Sequence, residues 1–130
     1  MSRLFICALL LAGVVAAQET CTSASEAQGP AVHAFRTINT AELRYFNANQ
    51  RFAGLPELMN SDETKALLAK SPKQLLGDAD DPLPGYVLRL TVAADGKSYA
   101  ASATKKDGTC QYYGAATDER GLIYLLQPLK

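Results

Sequence analysis

The stretch Tyr86-Val87-Leu88-Arg89-Leu90-Thr91-Val92, followed by Ala93-Ala94-Asp95-Gly96, decides the fold of this 130-residue chain. It is β-branched and aromatic, with the side-chain period of a strand, and Asp95-Gly96 is a hairpin turn signal that sends the chain back through 97–104. A second pair, Asp107-Gly108, leads into 109–115, and Thr117-Asp118-Glu119-Arg120-Gly121 turns the chain into Leu122-Ile123-Tyr124-Leu125-Leu126. Four short strands joined by short turns are most simply an antiparallel meander. One face of such a sheet needs a cover and the other can meet water.

The cover lies upstream. After Gly29-Pro30 the apolar residues recur at Ala31, Ala34 or Phe35, Ile38, Ala41 or Leu43, Tyr45, Ala48 and Phe52, steps of three and four that trace one stripe of a helix. Proline suits a first helical turn, so the spacing predicts a helix over 31–49, stopped by Gly54 and Pro56. Ser61-Asp62-Glu63 supplies an N-cap and early acids for a short second helix over 62–69. A connection rich in Pro, Gly and Asp then reaches the first strand. The fold class is α+β: a long N-terminal helix plus a short helix packed on a four-stranded antiparallel sheet.

The first 17 residues read differently. One base at Arg3, an apolar run over 4–15 and small residues at Val15 and Ala17 form the pattern of a secretory signal peptide cleaved after Ala17. The run is shorter than the roughly 20 residues that span a bilayer, so no stable membrane span is expected after cleavage. The organisation expected is therefore a signal peptide over 1–17, a flexible segment over 18–30 and one α+β domain over 31–130, in a periplasmic or secreted protein. Of three cysteines, Cys7 leaves with the signal, and Cys21 and Cys110 remain for an oxidising compartment, where an even pair defaults to a disulfide.

Thirteen Lys and Arg balance thirteen Asp and Glu, which leaves no basic footprint for nucleic acid. Catalytic patterns are equally thin. The only histidine is His33, no Gly-x-Ser-x-Gly elbow occurs, and one imidazole cannot build the usual zinc site, so no catalytic residues and no enzyme activity are expected. Asp78, Asp80 and Asp81, between Gly77 and Pro82, could offer calcium two or three hard oxygen ligands; the alternative is a solvated acidic turn, and no other cofactor is indicated. Phe46, Phe52, Tyr86 and Tyr124 are expected to fill the helix–sheet core. Arg89, Tyr99 and Tyr112 are the expected binding face on the wet side of the sheet.

The combination of RTINTAELRY on a helix, then FAGLPEL, an acidic Pro/Gly connection, GYVLRLTVAADGKSYAASA and YYGAATDERGLIY resembles the headgroup of type IV pilin-like and pseudopilin-like proteins of bacterial envelopes. The resemblance covers about 36–124. It implies a pilin-headgroup fold that acts through contacts with envelope proteins. The family's long apolar assembly helix, with a Glu near its start, has no counterpart in the run over 4–15, which carries no acid. The expectation is thus a non-catalytic, exported headgroup-like domain. Two alternatives stand beside it: a membrane-anchored minor component of a type IV pilus or type II secretion pseudopilus, and a small secreted ligand-binding module or hydrolase.

Overall fold

The computed structural model describes residues 21–70 and 77–129; the expected signal peptide over 1–17, the start of the 18–30 segment and part of the connection before the sheet lie outside the described residues. Among the described residues three helices, α1 (Ala24–Asn49), α2 (Leu55–Met59) and α3 (Asp62–Ala69), precede four strands, β1 (Tyr86–Val92), β2 (Tyr99–Lys105), β3 (Gly114–Asp118) and β4 (Ile123–Leu126). The strands form one antiparallel sheet in the order β1-β2-β3-β4, the expected meander. Helix α1 covers one face of it.

Alternation along each strand decides what that face contains. Register pairs Leu88 with Ala103 and Leu90 with Ala101, and Ala103 in turn with Ala115, so the middle of the inward face on the central strands is built of alanines, with Tyr99 and Thr117 towards one end. Ala31, Ala34 and Ala41 of α1 meet them with equally small side chains, which lets helix and sheet approach closely while Phe35 and Ile38 fill the remaining volume. Phe35, Ile38 and Leu58 are fully buried, each worth about 1.5–3 kcal/mol of transfer free energy.

The differences from the expected elements have local causes. Helix α1 begins at Ala24, not at 31, so the turn read as flexible is helical and Pro30 sits inside the helix. Pro30 is exposed, which puts its missing N–H on the solvent side, while Ala27, Gln28 and Ala31 on the inner side are buried. Gln28 Nε2 also donates to the carbonyl of Leu126 at 3.0 Å, fixing this turn to the last strand. Helix α1 is ended by Gln50, whose φ of 60° lies in the left-handed region, and Gly54 and Pro56, expected to stop it, instead start α2, with Pro56 in its first turn. Helix α3 matches its expected bounds, with the Ser61 hydroxyl accepting the Thr64 N–H at 3.2 Å as an N-cap.

Strand β3 starts at Gly114, five residues later than expected. The intervening residues are spent on turns: Gly108 and Tyr112 have φ of 81° and 70°, and the Tyr113 N–H returns to the Cys110 carbonyl at 3.1 Å. The Cys21–Cys110 disulfide is formed, with Cα atoms 4.7 Å apart. It joins the approach to α1 to the loop between β2 and β3, where a late strand was the expected attachment.

Candidate functional site

Among the described residues three surfaces hold groups that could recognise something, and Tyr124 belongs to two of them. The first is the bare face of the sheet. Register sets Arg89 beside Ser102, Ser102 beside Ala116 and Ala116 beside Tyr124, a single row across all four strands. Small side chains floor a shallow trough of about 480 Å³ whose rim includes Arg89, Asp118 and Tyr124.

The expected binding face does not assemble. Arg89 lies on the bare side, but Tyr99 points to α1 and is only 4% exposed. Its hydroxyl donates to Asn39 Oδ1 at 2.6 Å, and burial pushes its pKa up. Tyr112 is exposed in the loop between β2 and β3, not on a strand. Tyr124 was expected in the core and is instead on the bare face, because its partner Ala116 pairs with Ser102 of the outward row. Among the described residues Phe35, Tyr45, Phe52, Tyr86 and Tyr99 are the buried aromatics of the core side. Period-two alternation was legible in 86–92, but the phase of β2 and β4 depended on turn lengths that the residues alone left open.

The second surface is a groove of about 340 Å³ between α1 and the β3–β4 turn, lined by Asn39, Leu43, Phe52, Tyr99 and Arg120. Its polar side is a closed hydrogen-bond chain: Tyr99 donates to Asn39, Asn39 Nδ2 donates to Thr117 Oγ1 at 2.9 Å, and Thr117 Oγ1 donates to the Leu122 carbonyl at 2.8 Å. Arg120 is held by Asp118 at 2.7 Å and reaches the Tyr124 hydroxyl at 2.9 Å. The chain uses the hydroxyl protons of Tyr99 and Thr117 and one N–H of Asn39 internally, which reduces the polar capacity left for a ligand.

The third is the outer edge of β4. Ile123 and Leu125 face the α1 side, opposite Thr117 and Ala115, yet Leu125 is 63% exposed. Tyr124, on the other face, is 46% exposed, and Leu122 at the strand entrance is also exposed. A strand edge with large apolar side chains uncovered on both faces is a ready surface for another chain.

The titratable groups give a buried site that sequence reading missed. Glu42 lies on α1 with no exposed surface; its Oε2 accepts the Ala53 N–H at 3.0 Å and its Oε1 has no partner. Desolvation pushes its pKa up to about 7, against the Ala53 hydrogen bond and with a smaller push from Glu57. Glu57 itself is exposed, bonded by Arg51 at 2.6 Å and by the Tyr45 hydroxyl. The position of Glu42, one residue after Ala41 of the apolar stripe, was the only available signal.

Asp78, Asp80 and Asp81 are exposed in a turn closed by the Asp81 N–H on the Asp78 carbonyl at 3.1 Å. Among the described residues no group of three or more His, Cys, Asp or Glu side chains is placed to hold a metal ion. His33 is exposed on α1. Among the described residues no helix is long and apolar enough to cross a membrane. No family model, no curated protein and no solved structure matches the chain.

Proposed function

We propose that this chain is an exported, non-catalytic, pilin-headgroup-like domain of the bacterial envelope that works through protein–protein contacts. The observation that carries the reading is the β4 edge, where Tyr124 and Leu125 leave large apolar surface uncovered on opposite faces of one strand. Such exposure costs solubility, and an interface is what would offset it. The long helix laid over a four-stranded meander, with the Asp118–Gly121 turn before the last strand, is the architecture that the resemblance of 36–124 implies. The disulfide suits export, since thiol pairs persist where the compartment is oxidising.

The native size of the protein extracted from producing cells tests this. The natural chain is expected in a complex larger than a monomer, and Leu125→Lys, at an exposed position, is expected to shift it to monomer size with its melting temperature unchanged. An unchanged size, together with a rise in melting temperature on adding calcium or a glycan, would favour a ligand-binding module. An intact mass beginning at Gln18 is the expected mark of export; retention of 1–17 would favour the anchored alternative.

A further inference from the structure

We propose that the occupant of the β4 edge is the β4 edge of a second copy of this chain, paired antiparallel about a twofold axis at Tyr124. The inference rests on the contact reading above and names its partner. The two edges of the sheet differ in charge. Strand β1 carries Arg89 at its middle, so two copies of it facing one another set guanidinium against guanidinium. From Gly121 to Leu129 the chain has no charged residue, and two copies of that stretch oppose no like charges.

Symmetry then restricts the register. A twofold axis perpendicular to a sheet keeps every side chain on its own face, so the axis must pass where one residue meets its own copy. Centred on Tyr124, the pairing sets Ile123 against Leu125 on the helix side, and Leu122 against Leu126 on the bare side, apolar with apolar at each step. Centred on Leu125, it sets Ile123 against the polar Gln127; centred on Ile123, it sets Arg120 against Leu126. Only the first arrangement sets every residue from Leu122 to Leu126 against a large apolar residue, and it covers Leu125, 63% exposed in the single chain, with Ile123 on its own face. The Gln28 side chain on the Leu126 carbonyl marks the end of the usable edge. Pairing β4 with β1 of another copy would instead be head-to-tail and would set the Arg89 strand against the uncharged edge. A four-residue strand is a short edge, so the dimer is expected to depend on concentration.

Sedimentation equilibrium of the purified, disulfide-bonded protein, with single-cysteine cross-linking, tests the proposal. The mass is expected to rise towards twice the monomer with concentration. Tyr124→Cys is expected to yield a dimer joined through position 124 of both chains, while Thr91→Cys, exposed on β1, is expected to stay monomeric. A monomer at every concentration overturns self-pairing, as does a dimer that cross-links through position 91 or only in a mixture of the two variants. A protein that is monomeric when pure and still forms an envelope complex lost in Leu125→Lys would overturn self-pairing while the contact reading stood.

Discussion

Glu42 and Ala53 are joined by a carboxylate-to-backbone hydrogen bond of 3.0 Å in which the carboxylate has no contact with solvent. The bond ties α1 to the connection before α2, eleven residues on. It satisfies one oxygen and leaves the other, Oε1, without a partner. A buried carboxyl in that position is more comfortable neutral than charged.

Stability should therefore depend on pH with a defined sign. The folded-state pKa of Glu42 is raised from 4.5 to about 7, so the folded protein holds the proton more tightly than the unfolded chain. The resulting stabilisation is fully present below 4.5, falls as pH rises to about 7, and is absent above it. Its ceiling is about 3 kcal/mol at roughly 1.4 kcal/mol per pKa unit. Glu42→Gln keeps an acceptor for Ala53 and cannot ionise, so its melting temperature should change less between pH 5 and pH 8 than that of the natural chain. Equal slopes for the two proteins would remove the buried carboxyl from the account.

Gly96 should not tolerate a side chain. Its φ is 70°, and a Cβ there would come within 2.9 Å of Arg51 Cβ. Its carbonyl accepts the Phe52 N–H at 2.9 Å, so the hairpin cannot retreat without loss. Gly96→Val is expected to destabilise by more than about 1 kcal/mol in a denaturant titration, from backbone strain alone.

Two further glycines should respond in opposite directions. At Gly114 a Cβ would lie 1.7 Å from the Ala103 carbonyl oxygen, inside the β2–β3 ladder, so Gly114→Ala must part the strands and should cost about 1–3 kcal/mol or more. At Gly54, the N-cap of α2 with φ of −63°, a Cβ meets nothing within 4 Å, and Gly54→Ser should stabilise by about 0.4–1 kcal/mol through a capping hydroxyl and a less free unfolded chain. Thermal melts of both variants check the pair of signs.

The Cys21–Cys110 bridge closes a loop across 89 positions. Chain-entropy reasoning assigns a loop of that size about 4 to 5 kcal/mol at most. Cys21→Ser with Cys110→Ser should lower the denaturation midpoint strongly, and the natural chain should show the same loss under reducing conditions. A midpoint unaffected by reductant would contradict a bridge that contributes to stability.

Much of the fold was legible because its signals are local. The period of 86–92 matches β1, and Ser61-Asp62-Glu63 marks the start of α3 within a residue. The start of α1 was not legible, because Gly29-Pro30 reads as a boundary and the force that overrides it comes from Gln28 meeting Leu126, 98 residues away. The phases of β2 and β4 followed the same rule. Tyr99 and Tyr124 exchanged faces relative to expectation, since side selection is set by pairing and turn length. The exposed edge at Leu125 was invisible for a related reason: an apolar residue on the helix-facing side of a strand reads as core, and only the placement of α1 leaves it uncovered.

The central claim is that the β4 edge is a contact surface. Its most direct measurement is site-specific photo-cross-linking in producing cells, with the reactive side chain at position 125 in one protein and at position 65, on the exposed side of α3, in another. The account predicts discrete protein adducts from position 125 and none from position 65. Equal labelling from both positions, or none from position 125, would contradict it.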